Sequence, residues 1–198
     1  MATKLGITGG IGSGKSVVSD LLRIMGIKIY DSDFEAKKLV ESDELIRMNL
    51  SNLLGDEVYL AGKLNKPLLS SFLFANPENT DKVNSIIHPR VKEHFLEWAE
   101  KYQNDRFIGL ESAILVESGF ADCVDKIVLV TAPLELRIER AVKRDNSSRD
   151  LIMRRVLSQT QDEYKELYAD FVIVNDDKTP LIPQVVHLIG LLEDGTLS

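Results

Sequence analysis

Close to the amino terminus a short apolar run, Lys4–Thr8, leads without a break into Gly9-Gly10-Ile11-Gly12-Ser13-Gly14-Lys15-Ser16. This octet fits G-x-x-x-x-G-K-S/T at every position, and Val17, Val18, Leu21 and Leu22 lay down a helical apolar face directly after it. A strand, a glycine loop and a helix in that order make a phosphate-binding turn. The glycines let the backbone wrap an anion with its N–H groups inward, at the positive end of a helix dipole. Gly10, Ile11, Gly12, Ser13, Gly14, Lys15, Ser16 and Val17 are therefore candidate contacts to a nucleoside triphosphate. Lys15 is expected to reach the β- and γ-phosphates, and the Ser16 hydroxyl to ligate magnesium.

Other glycine-rich loops are excluded by register. A dinucleotide fingerprint G-x-G-x-x-G read from Gly10 places Lys15 where its third glycine belongs. A guanine-reading N-K-x-D is missing from the late stretch Asn175-Asp176-Asp177-Lys178. A chain of 198 residues is too short for a large motor ATPase. What remains is a small-molecule kinase that uses ATP with magnesium, in which a second site faces the phosphate loop.

Five short runs rich in branched and aromatic residues read as strands: Lys4–Thr8, Ile27–Tyr30, Phe107–Glu111, Lys126–Thr131 and Phe171–Asn175. Apolar on both faces and separated by helical patterns, they predict an α/β fold with one five-stranded parallel sheet covered on both sides. No strand is evident between Asp33 and Phe107. Helices are expected there at Phe34–Val40, Asp43–Leu54, Pro67–Ala75 and Pro77–Gln103, the last interrupted at His88-Pro89. The expectation is one kinase domain over residues 1–198, with a helical substrate-binding insertion at 34–105 and a helical lid at 137–160. Asp56–Pro67 reads as the exit loop of the insertion, and Glu193–Ser198 as a frayed tail.

Asp31-Ser32-Asp33 closes the second strand at the carboxyl edge of the sheet, where open α/β sheets place ligands. One carboxylate there can cap the next helix, and one can accept a proton from an acceptor hydroxyl. The reading adopted gives Asp31 the cap and Asp33 the chemistry. Glu111 is open to two roles, holding a magnesium-bound water or capping a helix. Between Arg137 and Arg155 stand seven basic residues against three acidic ones, a local +4 in a chain whose net charge is −7. Arg137, Arg140 and Arg144 share one helical face, and Asp145-Asn146-Ser147-Ser148 breaks the helix, which suits a lid that brings arginines to phosphate oxygens.

The overall negative charge disfavours nucleic acid and anionic membranes as partners. No window approaches the ~20 apolar residues of a membrane span. A single cysteine, Cys123, and the absence of a secretory leader pattern predict a cytoplasmic protein. Oligomeric state is not legible.

Taken in order, Thr8 to Ser16, Asp31-x-Asp33, His88-Pro89, Ile114-Leu115-Val116-Glu117, Arg140-x-x-x-Arg144-Asp145, Gln159 and Ala169-Asp170-x-Val172-Ile173-x-Asn175 resemble the bacterial dephospho-coenzyme A kinases. The resemblance runs through nearly the whole chain. It implies phosphorylation of the ribose 3′-hydroxyl of dephospho-coenzyme A by ATP, with a sheet core, a helical domain for the substrate and a lid. By it Asp33 looks like the base, and Lys15 and Arg140 like stabilisers of the γ-phosphoryl group. Asn175 looks like a neighbour of adenine and Lys37 like a substrate contact, while His88-Pro89 is open to two readings, a helix kink made by Pro89 or a contact of His88 with substrate. Ala113, Lys37 and Val17 stand where the family often has proline, arginine and threonine; Lys37 keeps the charge of arginine without its bidentate fork. A kinase of another small acceptor would share Lys15 and the lid and differ in Phe34–Gln103. A non-catalytic ATP-binding module leaves Asp33 and the arginine-rich hairpin without a task.

Overall fold

The structure is a computed structural model that describes residues 1–159 and 162–197. From the amino terminus, β1 (Thr3–Thr8), α1 (Lys15–Ile24) and β2 (Lys28–Asp31) form the first crossover. Next come α2 (Ser32–Ser42), α3 (Glu44–Leu54), the short strands β3 (Tyr59–Leu60) and β4 (Lys63–Leu64), α4 (Lys66–Ala75) and α5 (Pro77–Lys101). The chain continues through β5 (Phe107–Glu111), β6 (Lys126–Thr131), α6 (Leu134–Asp145) and α7 (Arg149–Leu157). It closes with α8 (Asp162–Glu166), β7 (Phe171–Val174) and α9 (Leu181–Glu193).

Two compact units result: Met1–Tyr30 with the chain from Tyr102 onward, and Asp31–Lys101. In the first, the five expected strands form one sheet in the order β2-β5-β1-β6-β7. Strand β1 pairs in parallel with both β5 and β6, and β6 with β7. Register aligns the strand ends: Ile7 lies opposite Glu111, Thr8 opposite Leu129, and Thr131 opposite Val174. The loops that leave β1, β5, β6 and β7 therefore emerge along one carboxyl edge. Beneath it Ile7, Val18, Leu22, Val128, Val130, Ile173, Val185 and Leu188 are buried as one core. Leu197 joins that core, and the Thr196 N–H bonds the Leu191 carbonyl at 3.0 Å. The expected fraying from Glu193 is thus corrected through Leu197, because one apolar side chain anchors the end; Ser198 lies outside the described residues.

The second unit packs Val40, Ile46, Leu50, Val58 and Val83 into its own core. Three expectations are corrected here. Helix α5 runs unbroken through Pro89. Proline removes one ladder hydrogen bond, at a cost of roughly 3 kcal/mol or more, but Val83, Val91, Phe95 and Ala99 bury an apolar stripe on both sides of it. Strands β3 and β4 form an antiparallel ribbon where no strand was expected. Its two-residue turn, Ala61 and Gly62, has φ of 48° and 80°, the geometry of a tight hairpin, though alanine is a poor advertisement for it. Asp56–Pro67 consequently lies inside this unit rather than at its exit. The chain enters at Asp31 and leaves at Lys101.

Candidate active site

The phosphate loop spans Gly9 to Gly14, and α1 opens at Lys15 with Gly14 as its N-cap. Gly12 and Gly14 take φ of 76° and 93°, a region that side chains disfavour. A Cβ would also strike the Arg137 backbone at Gly12 and the Asn175 amide at Gly14. The Ser13 N–H bonds the Gly10 carbonyl at 3.1 Å, and the Val17 and Val18 N–H groups bond the Gly14 carbonyl. Among the described residues, the N–H groups of Gly12, Gly14, Lys15 and Ser16 have no acceptor. A row of unpaired donors at a helix N-terminus favours an anion. The buried hydroxyls of Thr8 and Ser13 likewise lack a partner among the described residues. Val17 is half exposed on the first turn of α1, so its part in the loop is through its backbone.

The Ser16 hydroxyl donates to Glu111 Oε1 at 2.7 Å. Glu111 is buried at the end of β5, and the residues directly after it form turns and no helix, which removes the capping alternative. Among the described residues no cluster of three or more His, Cys, Asp or Glu could hold a metal. Magnesium does not need one: it keeps water and phosphate oxygens and takes one or two hard protein oxygens. Ser16 and Glu111 are such oxygens, so these residues fit the ion.

The basic hairpin is α6 and α7, joined through Asn146 in a left-handed conformation and started again by Ser148, whose hydroxyl accepts from Leu151 N–H at 3.3 Å. The hairpin has its own core of Ile138, Ala141 and Ile152, and Ile11 of the phosphate loop packs against it. Two polar contacts reinforce that joint. Arg137 Nε donates to the Ile11 carbonyl at 3.0 Å, and the Gln159 side chain accepts the Ile11 N–H at 2.9 Å. The last residue of the expected lid, Thr160, lies outside the described residues.

Arg140 donates to the Asn175 carbonyl at 3.0 Å and pairs with Asp177. The buried Asn175 amide in turn donates to the Ser13 carbonyl at 2.8 Å. Arg140, Asn175 and the loop are therefore one connected set. Arg144 is not in it. Its guanidinium grips Asp145 at 2.7 and 3.2 Å and is mostly exposed. The hydrogen bond from Arg144, with the charge of Arg155 behind it, holds the Asp145 carboxyl below the usual range.

In the helical unit, Asp31 caps α2 by accepting the Phe34 N–H at 2.9 Å. Asp33 and Lys37 are exposed one turn apart on α2. His88 is half buried on α5, and burial pushes its imidazole below the ordinary value while the charge of Asp33 works against that shift. Asp33 and His88 are thus close enough to sense one another.

The profile of the dephospho-CoA kinase family matches residues 3–180. The chain belongs to the dephospho-CoA kinase family. The dephospho-CoA kinase of Bacteroides fragilis is 59% identical over 97% of this chain and 94% of its own. A solved structure from Thermus thermophilus superposes with a TM-score of 0.81 at 30% identity, covering 98% of this chain and 97% of that one. The dephospho-CoA kinase of Campylobacter jejuni shares the fold, with a TM-score of 0.72 at 23% identity over 98% and 99% of the two chains. Within this family member, sequence reasoning passed over Arg137 as a contact to the phosphate loop and left the role of Gln159 unstated. It also could not place Glu111. The position of Arg137 three residues before Arg140 was a usable signal; the pairings of Gln159 and Glu111 had none. No helix among the described residues is long and apolar enough to cross a membrane.

Proposed function

We infer that this chain transfers the γ-phosphoryl group of ATP to the ribose 3′-hydroxyl of dephospho-coenzyme A, giving coenzyme A and ADP, the last step of coenzyme A synthesis. The observation that carries this reading is the loop of unpaired N–H donors ending in Lys15 and Ser16, with Glu111 on the Ser16 hydroxyl.

The loop N–H groups and the Lys15 ammonium bind the phosphates, and Lys15 strengthens its grip as charge builds on the leaving oxygen. Magnesium, held through Ser16 and Glu111, would supply charge neutralisation between the phosphates. Arg140, anchored by Asn175 and Asp177, adds a second cation beside the loop. Asn175 lies against Ser13 and borders the nucleotide. Arg144 can reach ATP only by leaving Asp145, which makes it a contact of the closed lid. The Asp33 carboxylate orients the 3′-hydroxyl and takes its proton, while Lys37 and His88 hold the substrate in the helical unit. The hairpin at 137–160 excludes water, since water admitted to the site would consume ATP. The same reading places the enzyme in the cytoplasm, working on free nucleotides and not on nucleic acid.

The test is steady-state ATP turnover with and without dephospho-coenzyme A, with mass-spectrometric detection of coenzyme A. Turnover is expected only with the acceptor present, and Lys15→Ala is expected to abolish it while the fold persists. Equal ATP consumption without acceptor, or a folded Lys15→Ala with normal turnover, overturns the reading.

A further inference from the structure

Arg137 is buried, and a buried guanidinium keeps its charge. Its Nε donates to the Ile11 carbonyl at 3.0 Å, and a Cβ on Gly10 would collide with its terminal nitrogens. The backbone of Arg137 presses on the loop as well, against Gly12. One residue of α6 thus lies along Gly10, Ile11 and Gly12 together. The peptide it grips joins the Ile11 carbonyl to the Gly12 N–H. In a planar trans peptide these two groups point in opposite directions. A cation on the carbonyl therefore stands behind the loop, and the N–H it leaves free is the one without an acceptor among the described residues.

We propose that Arg137 is a positioning residue for phosphoryl transfer: its guanidinium orients and polarises the Ile11–Gly12 peptide so that the Gly12 N–H donates more strongly to a nucleotide phosphate. A charge-assisted hydrogen bond at one end of a peptide strengthens the donor at the other. The arrangement also supplies a fixed positive charge behind the loop, where little water can screen it. Asn175 treats the Ser13–Gly14 peptide in the same manner through the Ser13 carbonyl, but with a neutral amide. The carbonyl of Ile11 is thus held by a cation and that of Ser13 by a dipole. The proposal deepens the kinase reading and rests on it for the identity of the bound phosphate.

The experiment compares wild type with Arg137→Met, which fills the volume without charge, and Arg137→Lys, which restores a cation. Calorimetric binding of the non-hydrolysable analogue AMP-PNP with magnesium is measured beside kcat and KM for both substrates. Arg137→Met is expected to weaken AMP-PNP and raise the KM for ATP by about tenfold, the scale of one charge-assisted hydrogen bond. The KM for dephospho-coenzyme A should stay unchanged, and Arg137→Lys should recover most of the loss. Thermal melting of each variant separates these effects from unfolding. A folded Arg137→Met with wild-type AMP-PNP affinity overturns the proposal. So do equal losses in the Met and Lys variants, which would reduce Arg137 to a shape. Should wild type bind AMP-PNP yet fail to phosphorylate dephospho-coenzyme A, the substrate reading falls while the binding comparison still decides the role of Arg137.

Discussion

Ser16 and Glu111 meet across 2.7 Å although they stand 95 residues apart, joining the first turn of α1 to the last residue of β5. The parallel register that sets Ile7 opposite Glu111 is what brings the carboxylate level with the phosphate loop. A carboxylate so placed repels phosphate unless a cation stands between them.

Glu111→Gln keeps an acceptor for Ser16 and removes that charge. Without magnesium the variant is expected to bind ATP several-fold more tightly than wild type, about 1 kcal/mol of repulsion relieved. With magnesium, turnover should fall and half-maximal activity should require more of the ion. Calorimetry with and without magnesium, beside a magnesium titration of the rate, checks both signs. An unchanged magnesium requirement would detach Glu111 from the ion.

Asp31 and Asp33 separate a cap from a base. Asp33→Asn retains shape and most polarity but cannot take a proton, so turnover is expected to drop by about 10²–10⁴ with stability unchanged. Asp31→Asn should cost little activity because asparagine also caps helices. Asp31→Ala should lower stability by about 1 kcal/mol through loss of the bond to Phe34 N–H. Initial rates and thermal melts of the three variants are the measurement; normal turnover by Asp33→Asn would leave the base unassigned.

His88 offers a spectroscopic reading of the same carboxylate. Burial lowers its pKa from 6.5 and the Asp33 charge opposes the shift. The unfolded chain therefore takes up a proton first, and the contribution of His88 to stability is lost as pH falls through about 6.5. In Asp33→Asn the imidazole should titrate lower still. A pH series of the histidine ring resonances measures this, and an unmoved His88 would show that Asp33 exerts no field on it.

Asp43 and Arg90 predict an acid limb for the helical unit. Burial alone would raise the Asp43 carboxyl, but the hydrogen bond from Arg90 and those from the Ile46 and Leu45 N–H groups outweigh it and hold the pKa below 3.8. Arg90 Nε and one terminal nitrogen reach Asp43 at 3.1 and 2.9 Å. The stabilisation is complete above the unfolded value near 3.8 and disappears as pH falls through the lower folded value. Arg90→Met should shift the acid unfolding midpoint upward. Identical acid transitions in variant and wild type would assign the pair no share in stability.

The five strands, the phosphate loop and the helical middle of the chain were legible because each is a local pattern. Short apolar runs, a glycine register and helical spacing are written within a few residues of one another. The Asp31 cap was legible for the same reason, since Phe34 is its neighbour in the chain. The β3–β4 ribbon was hidden by its Ala61-Gly62 turn, and the course of α5 through Pro89 by packing that overrides a helix breaker. Leu197 looked like tail until the core beneath α9 claimed it. The partners of the phosphate loop belong wholly to tertiary structure. Gln159 and Asn175 reach it from 148 and 162 residues away, and Arg137 from 126. A sequence states which residues carry charge and where helices begin. Which carbonyl a guanidinium meets is decided by strand register and by the packing of α6 on Ile11, neither of which has a local spelling.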